Sequence, residues 1–297
     1  MFVGGPCVVT PDRIGVEVFA RSSDGRVLRR AYDGAIWGSW INLPALDGSL
    51  IDARSDLDCA ATLTTIHIVA SGLNPVGAVL RAFGFGTAYN PFARELAGLV
   101  FGPGPSVAQV LDGVFFLGGS GPRLFELDGS PAPKELTPIT TQTDPFRSGP
   151  DIAVQPTASM GRHYFATLEA TGALAIYYYV TSSAPAYWAD PVKLLPPIGS
   201  FTFSPSICTE NGAYGVYSVN VVAVAGGRIW YARTSSITSP FSTWTMIGTD
   251  TATAPDCAVA GEADGIVHVV TLSAAGALLD INGKESVWVV TDLGNPP

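Results

Sequence analysis

The sequence predicts an all-β chain folded as a six-bladed β-propeller with four antiparallel strands per blade. A short Gly-containing turn between two apolar strands recurs six times, at intervals of 44 to 55 residues. A Pro or Asp followed by a small or apolar residue precedes each of these hairpins, and no segment shows a sustained helical period. Four-stranded units repeated about every fifty residues are typical of propeller blades. The turn glycines are Gly25, Gly77, Gly121, Gly172, Gly227 and Gly276.

Each repeat is interpreted as four strands, A to D, with strand A innermost. In the first repeat we place A at 7–10, B at 15–21, C at 26–32 and D at 36–42. Strand B is rich in β-branched and aromatic residues, as expected of strands. The first and last repeats each contain all four strands, so we expect the ring to close by packing without strand exchange. The predicted blades of this single domain cover residues 1–47, 48–98, 99–138, 139–195, 196–247 and 248–297.

Composition and charge exclude several classes of function. The formal net charge is −9, the pI is about 4.7, and there is no run of Lys or Arg, which argues against a nucleic-acid partner. No apolar run approaches the roughly 18 to 20 residues that span a bilayer, so no membrane partner is predicted. The first residues lack the basic and apolar regions of a signal peptide. Localisation is left open, with secretion as one alternative.

Four cysteines fall near the start of strand A in blades one, two, five and six. They are open to two interpretations. The first is functional, with paired disulfides or a thiol site, and the second is four small buried side chains of the innermost strands. Free Cys is among the most buried residue types, which favours the second interpretation. No Cys-x-x-Cys or Cys/His spacing indicates zinc, and no metal is predicted. The cysteines are Cys7, Cys59, Cys208 and Cys257.

The first repeat contains the segment 16–21, an Asp-Gly turn at 24–25 and the segment Trp37-Gly38-Ser39-Trp40. These features resemble the blades of fucose-lectin-like propellers of fungi and bacteria. The resemblance implies sugar sites between blades, formed by an Arg on strand B, a Glu on strand C and an aromatic residue of a neighbouring blade. The matching strand-B positions hold Glu17, His67, Phe115, Tyr164, Asn220 and His268. The strand-C positions hold Arg29, Arg81, Glu126, Ile176, Tyr231 and Asp280.

No blade has the Arg and Glu pair of that family, and the blades differ at nearly every polar position. Because a multivalent lectin usually keeps several copies of one site, the sequence predicts a single asymmetric pocket at one mouth of the channel. Length, blade number and an apolar, acidic composition are also similar to the hetero-Diels–Alderases of fungal tropolonic sesquiterpenoid biosynthesis. That resemblance implies an enzyme that forms a quinone methide and holds it against an apolar alkene for cycloaddition.

The candidate catalytic residues are three aspartates and two histidines. The aspartates begin strand A in three blades. They form either a ring of carboxylates, which would serve acid–base chemistry or bind a cation, or they accept hydrogen bonds from backbone amides of turns. The histidines occupy matching positions in strand B, where they either transfer protons or form hydrogen bonds between blades. Three arginines are candidates to orient a substrate oxygen, although strand-C arginines are also common as outer-face charges. The candidates are Asp58, Asp151, Asp256, His67 and His268, with Arg54, Arg29 and Arg81 for substrate binding.

The main functional hypothesis is therefore a cofactor-free, hetero-Diels–Alderase-like enzyme of natural-product biosynthesis. Its substrate would be a small apolar molecule of the polyketide or terpene type. No Gly-x-Ser-x-Gly, P-loop, His-Glu-x-x-His or dinucleotide-binding motif is present, so no cofactor is predicted. The first alternative is a fucose-type carbohydrate-binding lectin with degenerate sites, and the second is a non-catalytic scaffold.

Overall fold

The computed structural model is a β-propeller with four antiparallel strands per blade, and its strands group into six sheets within the described residues. Every strand pairs antiparallel with its neighbour, which confirms the predicted all-β class. In sheets 2 and 4 the outermost position is divided between two short strands that both pair with the third strand. The described residues are 1–11, 14–53, 55–61, 64–73, 76–95, 106–110, 113–120, 123–127, 134–135, 148, 151–155, 162–180, 187–211, 217–235, 239–261 and 265–295.

Sheets 1 to 3 follow one another along the chain. Sheet 1 contains β1 (Phe2–Val9), β2 (Val16–Ser22), β3 (Arg26–Tyr32) and β4 (Ile41–Asp47), followed by a 3₁₀ turn at Gly48–Leu50. Sheet 2 contains β5 (Asp58–Ala61), β6 (Ile66–Leu73), β7 (Val76–Phe85), β8 (Ala88–Tyr89) and β9 (Ala93–Glu95). Sheet 3 contains β10 (Ser106–Val110), β11 (Gly113–Ser120), β12 (Arg123–Leu127) and β13 (Lys134–Glu135).

Sheets 4 to 6 complete the chain. Sheet 4 contains β14 (Asp151–Gln155), β15 (Arg162–Leu168), β16 (Leu174–Val180), β17 (Tyr187–Trp188) and β18 (Val192–Leu194). Sheet 5 contains β19 (Ser206–Asn211), β20 (Tyr217–Ala225), β21 (Arg228–Thr234) and β22 (Thr245–Thr249). Sheet 6 contains β23 (Asp256–Ala260), β24 (Ile266–Leu272), β25 (Leu278–Lys284) and β26 (Val287–Gly294).

The six innermost strands, β1, β5, β10, β14, β19 and β23, form a ring. Each packs against the innermost strand of the next sheet, and β23 packs against β1. Sheets 1 and 6 each consist of four consecutive strands, so the ring closes by packing, as the sequence predicts. Within the described residues, no helix has the length and hydrophobicity required to cross a membrane.

The second strand of a sheet is buried on both faces because a neighbouring sheet covers each face. Every residue of β2 is buried, and its alternate side chains enter different cores. Val16 and Val18 pack against sheet 6, whereas Phe19 packs against Ile68 of sheet 2. Burial of such a side chain contributes roughly 1.5–3 kcal/mol, so the cores between sheets provide much of the stability of the ring.

Four of the predicted turn glycines, Gly25, Gly172, Gly227 and Gly276, lie in hairpin turns where the backbone is left-handed. The prediction is wrong for Gly77, which lies inside β7, and Gly121 lies outside the described residues. Gly25 has a φ of +83° and Gly276 a φ of +78°, a region that side chains with a Cβ rarely adopt. At the four confirmed turns, the need for a left-handed backbone explains the glycine.

The four cysteines are small buried side chains, as favoured from the sequence, but they are not free, and the alternative of paired disulfides is correct. Cys7 forms a disulfide with Cys59, and Cys208 forms one with Cys257. Each disulfide joins the innermost strands of adjacent sheets, sheets 1 and 2 in one case and sheets 5 and 6 in the other. The Cα atoms are 5.8 Å apart in both, because innermost strands converge toward the channel.

The predicted fourth strand of the first repeat is also wrong in position. We expected a strand at 36–42, whereas β4 begins at Ile41 and ends at Asp47. Trp37 makes an isolated bridge to Tyr32 and packs against its ring in a tilted arrangement, with centroids 5.3 Å apart. Trp37 and Trp40 therefore precede the outer strand of sheet 1 and do not belong to it.

Candidate functional site

Three carboxylates meet at the centre of the ring, and we call Asp58, Asp151 and Asp256 the channel carboxylates. They are the first residues of β5, β14 and β23, so they come from alternate sheets. One oxygen from each carboxylate lies within 4.8 Å of the corresponding oxygens of the other two. The innermost strands thus bring together three side chains that lie far apart in the sequence.

Each channel carboxylate accepts a 2.7 Å hydrogen bond from a backbone N–H of the next sheet around the ring. Such bonds to a charged acceptor are stronger than those between neutral groups. The carboxylates therefore connect neighbouring innermost strands, which agrees with a structural role. The sequence predicted that such a role would involve amides of a turn, whereas the donor amides belong to the innermost strand of the next sheet. The donors are Val107 to Asp58, Ile207 to Asp151, and Val8 to Asp256.

Serines occupy two of the alternating positions between these carboxylates. Ser206 Oγ lies 2.7 Å from Oδ2 of Asp151 and 3.1 Å from Oδ1 of Asp256. Ser106 Oγ lies 3.1 Å from Oδ1 of Asp151. A hydroxyl carries one proton, so Ser206 donates to only one of its two carboxylates. The other contact is a hydrogen bond only when that carboxyl group is itself protonated.

Burial raises the pKa of all three channel carboxyl groups above that of an ordinary Asp. The negative charge of Asp151 raises the pKa of Asp58 further, and the charges of Asp58 and Asp151 do the same for Asp256. The cluster therefore retains protons at a pH where an exposed Asp is ionised. One oxygen from each carboxylate is close enough to the others for all three to contact one cation, and a catalytic role for these residues stays a prediction.

A second recurring feature lies between sheets, in what we call the junctions. In sheet 1, Phe19 pairs with Arg29 and Glu17 pairs with Ala31, so Glu17 and Arg29 are diagonal neighbours. The same diagonal relation recurs at the equivalent positions of four other sheets whose side chains are described. In each of them, one residue of the second strand lies beside one residue of the third strand. The other described pairs are His67 with Arg81, Tyr164 with Ile176, Asn220 with Tyr231, and His268 with Asp280.

The junction of sheets 1 and 2 contains an ion pair and an aromatic side chain from the next sheet. Arg29 Nη2 donates to Oε1 of Glu17 over 2.6 Å, and Arg29 Nε donates to Oε2. Both side chains are largely buried. Tyr89 of β8 packs on Phe19, with ring centroids 6.0 Å apart. The junction therefore combines a carboxylate, a guanidinium and a phenol.

The Tyr89 hydroxyl is buried and has no hydrogen-bond partner. Burial, and then the negative charge of Glu17, raises the pKa of Tyr89, so the hydroxyl keeps its proton. A buried polar group without a partner costs roughly 1–3 kcal/mol. The free hydroxyl beside Glu17 and Arg29 is therefore able to bond to a ligand that enters this junction.

The junction of sheets 2 and 3 has different residue types on its sheet 2 side. Ile66 and Ile68 face sheet 1, so His67 between them faces sheet 3. The Arg81 guanidinium lies 5.2 Å from the ring centroid of Phe83, and the His67 ring lies 5.9 Å from it. Burial, and then the Arg81 charge, lowers the pKa of His67 to about 4, so this histidine is uncharged at neutral pH.

The junction of sheets 6 and 1 contains a buried His–Asp pair. His268 Nδ1 lies 3.1 Å from Oδ1 of Asp280, and Asn282 donates to Oδ2 of Asp280 over 2.9 Å. Tyr32 of sheet 1 lies beside this pair, with its ring centroid 6.1 Å from that of His268. The carboxylate fixes the histidine ring, which agrees with a hydrogen-bonded histidine between sheets.

The junction of sheets 5 and 6 is filled by its own side chains. Tyr231 donates to Oδ1 of Asn220 over 2.7 Å, and Asn220 donates to the carbonyl of Cys208. Trp288 of sheet 6 covers Tyr231, with ring centroids 4.9 Å apart. In contrast to Tyr89, the Tyr231 hydroxyl is satisfied within the protein.

The structure distributes the sequence-predicted site residues over several places. The channel carboxylates meet one another, and His67 lies beside Arg81. An open groove between sheets 5 and 6 is lined by Met246, Ile281 and Val290, and none of the candidates lines it. Arg54 lies outside the described residues. Arg29 lies in the junction of sheets 1 and 2, His67 and Arg81 in that of sheets 2 and 3, and His268 in that of sheets 6 and 1.

Sequence reasoning did not single out Tyr89 or Phe83. Tyr89 belongs to a two-residue strand, too short to give a periodic pattern. Phe83 stands opposite His67 in the β6–β7 ladder, a relation visible only once that register is known.

No protein-family model matches the chain, and no curated protein matches it either. Solved structures of lectins share its fold. AofleA from Arthrobotrys oligospora superposes with a TM-score of 0.76 at 11% identity, over 100% of this chain and 88% of that one. A variant of Aleuria aurantia lectin in complex with α-methyl-L-fucoside has a TM-score of 0.65 at 10% identity, over 98% and 95% of the two chains.

A bacterial lectin has the same architecture. BP39L from Burkholderia pseudomallei superposes with a TM-score of 0.60 at 18% identity, over 95% of this chain and 79% of that one. The structural neighbours are thus fucose-lectin-like propellers, as the resemblance of the first repeat implies. At these identities the likeness concerns the fold.

Proposed function

We propose that this chain, which shares the fold of fucose-lectin-like propellers, is a six-bladed carbohydrate-binding protein with one site for a neutral, fucose-type sugar in the junction of sheets 1 and 2. The observation that carries the proposal is the buried, unpartnered hydroxyl of Tyr89 beside the Glu17–Arg29 pair. The fucosides bound by structural neighbours support a sugar as the ligand class.

The chemistry of this junction suits a sugar. Sugar hydroxyl groups both donate and accept hydrogen bonds, so a carboxylate and a guanidinium can each bind one. The Arg and Glu of the lectin family are present here with their strands exchanged, since Glu17 lies on the second strand and Arg29 on the third. Tyr89 supplies the aromatic side chain of the neighbouring sheet. The remaining junctions differ in residue type, which favours one such site over many.

Replacement of Tyr89 by Phe tests the proposal most cleanly. The substitution removes a hydroxyl that has no partner in the free protein, so the melting temperature should be unchanged or higher. Loss of one hydrogen bond to the sugar should weaken binding of methyl α-L-fucoside about fivefold, equivalent to about 1 kcal/mol. Isothermal titration calorimetry and thermal unfolding of the same preparation measure both effects.

Tyr231→Phe is the matched control for this variant. It removes a hydroxyl that donates to Asn220, so it should lower the free energy of unfolding by about 1–3 kcal/mol. Fucoside affinity should stay unchanged. The proposal fails if Tyr89→Phe destabilises the protein as Tyr231→Phe does, or if both variants bind the fucoside like the unmodified chain.

A second prediction concerns the ion pair. Arg29→Gln should reduce fucoside affinity at least tenfold, because a charged donor contributes more than a neutral one to a bound hydroxyl. Arg26→Gln makes the same change at an exposed position of the same strand, where Arg26 pairs with Asp24, and it should leave affinity unchanged. Equal affinities of the two variants in calorimetry would place the sugar elsewhere.

The cycloaddition hypothesis finds less support. None of the structural neighbours above is described as an enzyme, and the candidate acid–base residues lie in separate junctions or are bonded to backbone amides in the channel. An enzyme of that kind needs one deep apolar pocket with a few polar groups. The lectin alternative is therefore preferred.

We also infer that the chain folds in an oxidising compartment. Two disulfides join its innermost strands, and structural disulfides are typical of secreted or otherwise oxidised proteins. A secreted sugar-binding protein is consistent with this inference.

A further inference from the structure

We infer that the open groove between sheets 5 and 6 binds a small arylalkyl amine, with its aromatic body on the apolar floor and its ammonium group on Asp250. The groove has a volume of about 390 Å³, and small-molecule sites occupy roughly 300–1,000 Å³. Its walls are β22 of sheet 5 and β25 and β26 of sheet 6. The site is separate from the sugar site proposed above and does not depend on it.

A bulge in β22 shapes the floor of the groove. Gly248 and Met246 pair with consecutive residues of β21, so Ile247 between them is an extra residue. Ile247 is buried and belongs to the same hydrophobic cluster as Ile281 of sheet 6. β-bulges change the direction of side chains and are over-represented next to functional sites.

The floor is apolar and lacks a side chain at Gly248. A Cβ at this position would lie 2.7 Å from Cδ1 of Ile281 and 3.1 Å from Cδ1 of Ile229. Val290 of β26 also lines the groove and is 55% exposed. A ligand that covers Val290 and Ile281 removes apolar surface from water, which is favourable. Met246 is a further lining residue, and methionine makes favourable contacts with aromatic rings.

Asp250 directly follows β22 and is the acidic residue that lines the groove. Its N–H donates to the carbonyl of Gly227 over 3.0 Å, and its own carbonyl accepts from the N–H of Ala274 over 2.7 Å. These bonds attach its backbone to hairpin turns of both sheets. Its φ is +62°, a left-handed conformation in which Asp and Asn are enriched. The backbone that carries the carboxylate is therefore held in place before a ligand binds.

The Asp250 carboxylate supplies the charge that selects an amine. Thr249 Oγ1 donates to Oδ2 of Asp250 over 3.2 Å. Among the residues that the structure describes, no basic side chain forms an ion pair with Asp250, whose side chain is exposed. An ammonium group carries three donors and no acceptor, so it can form a charge-assisted hydrogen bond with this carboxylate.

The experiment compares three probes by isothermal titration calorimetry at pH 7 and low salt. Phenethylamine should bind about fivefold more tightly than 2-phenylethanol, which lacks the charge, or ethylamine, which lacks the ring. Asp250→Asn should abolish the difference between phenethylamine and 2-phenylethanol, and Asn suits the left-handed backbone. Asp190→Asn removes an exposed negative charge elsewhere and should preserve the difference. It controls for the general attraction of cations to a chain of net charge −9.

Val290→Lys provides a second variant, at an exposed position of an edge strand where lysine is well tolerated. Val290 pairs with Ile281 and faces the groove, so a lysine there should weaken phenethylamine binding by repulsion and by blocking the floor. Val287→Lys is the matched control. Val287 lies on the same strand, is 71% exposed and points to the opposite face, so this variant should bind phenethylamine unchanged.

Absence of phenethylamine binding, equal affinity for 2-phenylethanol, or an unchanged preference in Asp250→Asn would overturn the inference. Equally tight binding of N-acetyl-lysine methylamide would overturn it in favour of a peptide side chain. A dimer in sedimentation analysis that Val290→Lys dissociates would overturn it in favour of a second copy of this chain. Fucoside binding between sheets 1 and 2 is measured separately, so failure of the proposed function does not affect this result.

Discussion

Removal of either disulfide should lower the free energy of unfolding by about 4 kcal/mol, the largest single effect that we expect in this protein. The bonds connect residues 52 and 49 positions apart, so each restricts the unfolded chain strongly. Both lie between innermost strands, where few other covalent constraints hold adjacent sheets together. The paired variants Cys7→Ser/Cys59→Ser and Cys208→Ser/Cys257→Ser remove one bond each without leaving a free thiol.

Urea denaturation under non-reducing conditions measures the effect. Because the two loops are similar in length, the two paired variants should lose similar amounts of stability. The unmodified chain in a reducing agent should lose more than either variant. Alkylation of the urea-unfolded, unreduced chain should add no label, and four added labels would show instead that the cysteines are free.

The second large effect concerns the channel carboxylates, where Asp151→Asn should stabilise the protein at neutral pH by about 1 kcal/mol or more. The substitution removes one of three neighbouring negative charges. Asparagine can keep the existing bonds, since its Oδ1 accepts from Ile207 and Ser206 and its amide donates to Ser106. Both serine hydroxyls can rotate to suit the new partner.

The direction of the pH dependence follows from the raised pKa values. A carboxyl group whose pKa is higher in the folded than in the unfolded protein contributes its full stability below the unfolded pKa, near 3.8. That contribution is lost as the pH rises through the folded pKa. The stability advantage of Asp151→Asn over the unmodified chain should therefore be small near pH 4 and increase toward pH 8.

Melting temperatures at intervals from pH 4 to pH 8 test this prediction. Asp190→Asn removes one exposed negative charge outside the channel and is the control for the loss of a single carboxylate. Exposed carboxyl groups with lowered pKa, such as Asp33 and Asp47, act in the opposite sense but are common to all variants. A pH-independent advantage of Asp151→Asn would show that the channel carboxylates are ordinary ionised groups.

The sequence predicts the strands of each sheet and their order well, because these features depend on residues close together in the chain. Turn glycines such as Gly25 and Gly276 are required by a left-handed backbone, and the strands on either side alternate between two cores. The matched positions Glu17 with Arg29 and His67 with Arg81 follow from hairpin register alone. These features need no knowledge of how the sheets pack.

Features that depend on packing between sheets were harder to predict. The pairing of Cys7 with Cys59 requires adjacent innermost strands to converge, and Cys208 lies one position further from the start of its strand than Cys257 does from its own. The equivalent positions of the aspartates at the start of strand A were visible in the sequence, whereas their meeting within 4.8 Å was not. Sequence position alone does not report distances across the ring.

The site between sheets 1 and 2 illustrates the same limit. Glu17 and Arg29 were recognised as matched positions, but the expectation of Arg on the second strand and Glu on the third obscured a pair with the strands exchanged. Tyr89 comes from another sheet, through a two-residue strand without a sequence pattern. The Glu17–Arg29 pair lies within one hairpin and can be predicted from local sequence, whereas the position of Tyr89 beside it depends on how sheets 1 and 2 pack.

A crystal structure of the protein soaked in methyl α-L-fucoside tests the central claim most directly. We predict one sugar per chain between sheets 1 and 2, with a hydroxyl group bonded to the Tyr89 oxygen and others to Glu17 and Arg29. Equivalent sugars in most junctions, or a sugar bound only at the channel carboxylates, would contradict the proposed single site.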